Sequence, residues 1–593
     1  MPSLTGAQII ARTLGDLDVN VVFGIVGIPV VEIAEEALNL GIKYIGFRNE
    51  QAASYAASAY GYLTGRPGVC LVVGGPGVLH AIAGVGNSFA NAFPLLLLAG
   101  SSESHLTSRG AFQELDAISL LTPHTKLSLR PASPDLIPPA IANAYRSSFY
   151  GRPGTGFVDF PADLIQGVFG EQDGIPNAKN VALPPKGGAE KDRILEAVRL
   201  LKGAKAPLVV VGKGSAYAKG EVMIRELIEK TSIHFLPTPM GKGVLPDSHP
   251  SNAASARSTA LKLADVVLVL GARLNWILHF GEAPKWNPNA RIIQVDISHD
   301  EIGRNQGDAS LGLVGDIAVI TEQLLDALNG WRWDTRVSDY TQRISESKRK
   351  NEAMAASKAK VDKLPMTYER SFSIIKTVLD RLSPPHEGGI VYVSEGANTM
   401  DISRSIFSVE HPRLRLDAGT YATMGIGMGY AIAAHAAYNN SKFPLSTKKK
   451  IVALEGDSAF GFSAMEVETM ARYQMDVLIF VINNGGVYHG DSADGDEWLK
   501  LQRATAEGST YKGGGLRSWS LGWEVGYEKI AEACGGKGFL VRTPKELERA
   551  TEEGFRANVP VVVNVIIEAG QSTKLEFGWQ ASTKKPTASP AKL

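Results

Sequence analysis

Two polar turns, each placed directly behind an apolar run, leave this chain little choice of fold. Ile451-Val452-Ala453-Leu454 leads into Glu455-Gly456-Asp457-Ser458, and Val477–Ile482 leads into Asn483-Asn484-Gly485-Gly486. Between them, Ala464–Arg472 carries a helical pattern. A strand, a helix and a second strand of these lengths make a parallel unit, and both turns then open at the carboxyl edge of the sheet, where ligands sit. One carboxylate and one amide oxygen at that edge suit a small hard cation that also grips phosphate oxygens. Mg²⁺ takes one or two such protein oxygens and completes an octahedron with water and phosphate. Gly485-Gly486 lets the backbone approach closely, so a main-chain carbonyl is a further candidate ligand. The competing reading is two ordinary strand-end turns, which Asp and Asn favour on their own. The complete strand–helix–strand frame weighs against it.

The same alternation recurs along the chain. Val21–Val26, Lys43–Phe47 and Val69–Val73 read as strands, with helices at Pro29–Leu38 and Glu50–Leu63. The short apolar run Phe93–Gly100 fits a buried strand. Pro207–Val211, Asp265–Leu270 and Arg291–Val295 repeat the pattern, as do Ile390–Val393, Lys450–Leu454 and Val477–Ile482. Pro and Gly concentrate in Asp173–Gly188, a first linker; the charged stretch Arg343–Asp362 is a second, with a helical pattern. The expectation is an α/β protein of three consecutive Rossmann-like domains with parallel sheets: 1–172, 190–345 and 364–575, then a flexible tail 576–593. The outer two domains are expected to share a fold without a residue-level repeat.

Composition excludes several classes. Lys plus Arg and Asp plus Glu both number 61, so no charge excess draws the chain to nucleic acid or a membrane surface. Two cysteines, Cys70 and Cys534, cannot build a disulfide framework and fit a reducing compartment. No apolar run is long enough to span a bilayer, and the N-terminus lacks a basic-then-apolar leader. The sequence ends Ala591-Lys592-Leu593 after a Lys/Pro/Ser/Thr-rich tail, which is similar to a peroxisomal address read by the import receptor; without it the expected compartment is the cytoplasm.

The pair of turns resembles the metal and diphosphate signature of thiamine-diphosphate (ThDP) enzymes, with Ser458 where that pattern ends in Gly. This changes the weight of two other features. Glu50, in Arg48-Asn49-Glu50-Gln51-Ala52-Ala53, is on its own a helix-start carboxylate favoured by the helix dipole. In ThDP enzymes a Glu in such a context binds the aminopyrimidine ring and drives loss of the thiazolium proton. Met424, in Gly419-Thr420-Tyr421-Ala422-Thr423-Met424-Gly425, is on its own a core Met beside a turn. In ThDP enzymes a large apolar residue there bends the cofactor, with backbone groups of Ala422 and Met424 facing the pyrimidine.

Longer phrases narrow the resemblance to the 2-hydroxyacyl-CoA lyase and oxalyl-CoA decarboxylase branch, over residues 3–580. They include Gly27-Ile28-Pro29-Val30, Gly75-Pro76-Gly77, Gly110–Glu114, Pro239–Gly243, Ser394–Asp401, Glu455–Phe462 and Asn483–Tyr488. The resemblance implies pyrimidine-binding, central and diphosphate-binding domains, and cofactor sites formed between subunits of a homodimer or homotetramer. It implies Mg²⁺ on Asp457, Asn484 and the carbonyl of Gly486, with Gly456 and Ser458 along the diphosphate. It implies an ADP or CoA nucleotide in the central domain, at Arg152, Lys213, Arg273 and Asp296. Phe112-Gln113 and Glu576-Phe577-Gly578-Trp579 look lyase-like, with Gln113 on the substrate oxygen and Tyr488 facing the reacting carbon. The implied reaction is cleavage of a 2-hydroxy fatty acyl-CoA to formyl-CoA and an aldehyde one carbon shorter, in fatty-acid α-oxidation. The alternatives are oxalyl-CoA decarboxylation, a non-catalytic ThDP-fold scaffold and a nicotinamide dehydrogenase. Retention of Glu50 and Asp457 argues against the scaffold. The dehydrogenase lacks a G-x-G-x-x-G opening behind a strand; Gly425–Gly429 lacks that frame.

Overall fold

A computed structural model describes residues 3–170, 174–439, 445 and 447–570. Three parallel sheets follow one another along the chain. The first runs Lys43–Gly46, Val21–Gly24, Gly68–Val72, Leu95–Ser101, Thr155–Pro161, Leu127–Leu129 across its width. Every neighbouring pair in it is parallel. The middle sheet runs His234–Pro237, Pro207–Val211, Val266–Leu270, Arg291–Asp296, Gly312–Val314. The third runs Arg415–Asp417, Ile390–Glu395, Lys450–Gly456, Leu478–Asn483, Val561–Ile566, Lys537–Val541. The first and third sheets thus share one order (second, first, third, fourth, sixth, fifth strand), so the expected likeness of the outer domains holds at the level of topology. Leu4–Thr5 and Val168–Phe169 form a small antiparallel pair beside the first sheet.

The central strands are continuous apolar runs because both faces are covered by helices. Leu95–Ser101 and Lys450–Gly456 are buried at every position. The run Val21–Val26 leaves the sheet after Gly24, where its neighbour Lys43–Gly46 also ends. The helix expected from Pro29 begins at Val31, and the one expected from Ala464 begins at Glu466. The charged stretch after the middle domain is a helix, Tyr340–Ala359, anchored by the buried Tyr340 and Ile344 near its start. Among the described residues no helix is long and apolar enough to cross a membrane. Glu576–Trp579 and Ala591-Lys592-Leu593 lie outside the described residues.

Candidate active site

Asp457 and Asn484 close two neighbouring parallel strands of the third sheet, Lys450–Gly456 and Leu478–Asn483. Asp457 is buried, and its carboxylate accepts the amide hydrogens of Ser458 (2.8 Å) and Gly485 (2.9 Å). Burial pushes its carboxyl up to about 6 against the pull of these amides. Asn484 donates from Nδ2 to the carbonyl of Tyr488 (3.1 Å) and to the Tyr368 hydroxyl (3.4 Å). Those bonds turn its Oδ1 toward Gly486, whose amide it accepts at 3.1 Å. Gly486 is required sterically, since a Cβ there would stand 2.1 Å from the carbonyl oxygen of His489. Leu521 donates to the carbonyl of Gly485 (2.9 Å), while Val487 donates to that of Trp519 (2.9 Å). The structure therefore brings Asp457, Asn484 and Gly486 together. The half-buried Tyr488 joins them through its carbonyl, which also accepts from Asn398 Nδ2 at 3.2 Å. Among the described residues no three His, Cys, Asp or Glu side chains gather as a metal cluster. A cation here would rest on one carboxylate plus amide and main-chain oxygens, a donor set that fits Mg²⁺ holding phosphate.

Ala422 adopts a left-handed backbone (φ 53°), and Met424 follows it, half-buried. The next turn is fixed by Glu395, which sequence reasoning placed only within a longer phrase. Its buried carboxylate accepts the amides of Gly425 and Gly427, the latter at 2.6 Å. Glu455 lies beside it in register on the adjacent strand. Burial raises both carboxyls, and each further constrains the other.

Glu50 opens the helix Glu50–Thr64 at the carboxyl edge of the first sheet, behind the N-cap Asn49. Its Oε2 lies 3.0 Å from His80 Nδ1, on the helix Pro76–Asn91. His80 was not anticipated from sequence; the only signal was a His one turn past Gly75-Pro76-Gly77. Gln113 sits on a loop folded around Glu114, whose carboxylate accepts the amides of Gly110 (2.8 Å) and Ala111 (3.1 Å). The loop presses on Gly75, where a Cβ would meet the Gln113 carbonyl oxygen at 2.8 Å. Gln113 therefore reaches the edge where the Glu50 helix also starts.

The four residues expected around a nucleotide line one cavity of about 620 Å³ between the first and middle domains, to which Asp417, Gly419 and Thr420 of the third also contribute. Lys213, Arg273 and Asp296 stand at carboxyl ends of middle-sheet strands; Arg152 enters from the first domain. Lys213 Nζ donates to Asn91 Oδ1 (2.6 Å), and burial drives its ammonium far below the ordinary lysine range. Arg273 donates to the carbonyl of Ala90 and to Thr420 Oγ1 (3.3 Å). Arg152 donates to the carbonyl of Phe89 at 2.8 Å. Asp296 accepts the Ser298 amide at 2.9 Å, and burial raises its carboxyl. The linker supplies Leu183, Pro184, Pro185 and Lys186 to the wall, which its composition did not foretell.

Family models match the chain in three stretches: a thiamine pyrophosphate enzyme N-terminal TPP binding domain at 4–120, a central domain at 194–325 and a C-terminal TPP binding domain at 395–565. The chain is 44% identical to 2-hydroxyacyl-CoA lyase 1 of Homo sapiens over 97% of each chain. It is 40% identical to the 2-hydroxyacyl-CoA lyase of Saccharomyces cerevisiae, over 97% of this chain and 99% of that one. It is 37% identical to the oxalyl-CoA decarboxylase of Escherichia coli K12, over 96% of this chain and 97% of that one.

Proposed function

Because the chain belongs to the thiamine pyrophosphate enzymes, among relatives that are 2-hydroxyacyl-CoA lyases and an oxalyl-CoA decarboxylase, we propose that it cleaves 2-hydroxy fatty acyl-CoA to formyl-CoA and an aldehyde one carbon shorter. The observation that carries this reading is the cationic cavity and its link to the reacting end. Arg273 and Trp276 both bond Thr420, the latter to its carbonyl at 2.8 Å, in the segment that runs on to Met424. A CoA nucleotide held by Arg152, Lys213 and Arg273, with Asp296 on its ribose, anchors the acyl chain beside that segment.

Asp457, Asn484 Oδ1 and the Gly486 carbonyl would hold Mg²⁺ against the diphosphate, with Gly456 and Ser458 along it. ThDP, when bound, supplies an acidic ring carbon and an electron sink. Glu50 holds a proton at the aminopyrimidine nitrogen, with His80 as its neighbour. Met424 and the Ala422 backbone orient the ring, Gln113 donates to the substrate oxygen, and Tyr488 faces the reacting carbon. In this reading 1–172 binds the pyrimidine, 190–345 the nucleotide and 364–575 the diphosphate.

The reading includes a homodimer or tetramer with sites between subunits. Ile28, Leu79, Phe112, Tyr421, Phe462 and Met465 are large, apolar and exposed around these edges, the kind of surface a second copy covers. Ala591-Lys592-Leu593 is read as a peroxisomal address, recognised by the import receptor. Purified protein given 2-hydroxyoctadecanoyl-CoA and oxalyl-CoA in parallel tests the substrate. Release of formyl-CoA and heptadecanal from the first is expected; turnover of oxalyl-CoA alone overturns the lyase reading in favour of decarboxylation.

A further inference from the structure

The residues that lead into Glu50 are gripped by the third domain. Glu466 Oε1 accepts the amide hydrogens of Arg48 and Asn49, each at 3.1 Å, and its Oε2 accepts from Thr469 Oγ1 at 2.8 Å. Two residues earlier, the Gly46 amide donates to the Tyr473 hydroxyl at 2.9 Å, and Arg472 Nη2 donates to the Gly46 carbonyl at 2.8 Å. These partners lie on or directly beyond the helix Glu466–Arg472. That helix lies between the strand that leads into Asp457 and the strand that leads into Asn484.

Glu466 is only 1% exposed, and burial pushes its carboxyl up to about 7. A buried carboxyl is costly unless its oxygens are used. Here one oxygen is devoted to two successive amides, those of Arg48 and the N-cap Asn49. Two amides fixed on one acceptor leave the Arg48-Asn49 dipeptide no free rotation, and Glu50 is the next residue. We infer that Glu466 is a positioning residue for Glu50, and that the helix between the two cation-site strands sets where the Glu50 carboxylate points. This inference rests on the ThDP reading above.

Two readouts test it in the full-length protein. The first is amide hydrogen exchange of residues 46–52 without cofactor. The second is deuterium exchange of the thiazolium C2 proton with ThDP and Mg²⁺ bound. Glu466→Ala is expected to speed the amide exchange about tenfold and slow the C2 exchange about tenfold, the scale of a lost charge-assisted hydrogen bond. ThDP affinity should stay within about threefold, because the diphosphate contacts are untouched. Glu466→Gln keeps an acceptor oxygen and should restore both readouts. Wild-type C2 exchange in Glu466→Ala, or equal loss in Glu466→Gln, overturns the inference. If Glu466→Ala does not fold, Tyr473→Phe removes the acceptor at Gly46 and should move both readouts the same way; no movement overturns the inference equally. Should Glu50→Gln exchange C2 like wild type, the ThDP reading fails, while the cofactor-free arm still decides the clamp.

Discussion

At the residue scale, Asp457 carries the heaviest load. It is buried, among the described residues it accepts only backbone amides, at 2.8 and 2.9 Å, and burial pushes its carboxyl upward. Among the described residues no Lys, Arg or His forms an ion pair with it. In the proposed reading a divalent cation is the partner of this carboxylate. Asp457→Ala should therefore abolish Mg²⁺-dependent ThDP uptake, measured by calorimetry on cofactor-stripped protein. Glu50→Gln should bind ThDP yet lose about 10²–10⁴ in turnover, the usual range for a removed proton-transfer group. Asp457 and Asn484 were legible because each directly follows an apolar strand, which fixes their edge of the sheet; Glu50 was legible only as the start of a helix, and its role came from the resemblance. His80, Glu395 and Glu466 were not. Glu466 meets Arg48 across 418 residues, and no local pattern encodes a partner so distant.

At the scale of elements, the alternation of apolar runs and helical stretches placed the strands it identified to within two residues, and Pro207–Val211 matches throughout; Thr155–Pro161, His234–Pro237 and Val561–Ile566 went unread. Ends were less legible, since they depend on where a neighbouring strand stops rather than on composition. The helix Glu466–Arg472 illustrates what elements add. Its Glu466 has a folded carboxyl at about 7 against an ordinary 4.5. Because the folded value is raised, the folded state binds this proton more tightly, and the resulting stability is present below pH 4.5 and lost as pH rises through about 7. Arg472 opposes the shift, while the Arg48 and Asn49 amides and the Thr469 hydroxyl also favour the charged form. Glu466→Gln removes that titration. Its Tm relative to wild type should rise between pH 5 and pH 8, by an amount equivalent to at most about 3 kcal/mol. Calorimetry at matched ionic strength checks the sign.

For the whole molecule, the cavity lined by Arg152, Lys213, Arg273 and Asp296 belongs to no single domain. Lys213 reaches Asn91, Arg273 reaches Ala90 and Thr420, and Arg152 comes from the first domain. An anion there restores the charge that burial disfavours on Lys213. ADP should accordingly raise the Tm of the wild type but not of Lys213→Met, read by thermal shift. The same variant should raise KM for acyl-CoA by roughly tenfold to a hundredfold with little change in kcat, because in the proposed reading it contacts the nucleotide and not the acyl group. The resemblance named Arg152, Lys213, Arg273 and Asp296 together, and only Asp296 could also be argued from its place at the end of a strand. No local pattern brings Arg152 to the other three, because that meeting depends on how two domains dock.

The stretch Leu183–Lys186, which ties the first domain to the second, also walls that cavity. A tether used as masonry is no hinge. In the proposed reading, lengthening it by a few residues should leave each domain folded yet open a leak beside the nucleotide, so that tolerance to insertion here is governed by affinity for the CoA handle rather than by the stability of either neighbour.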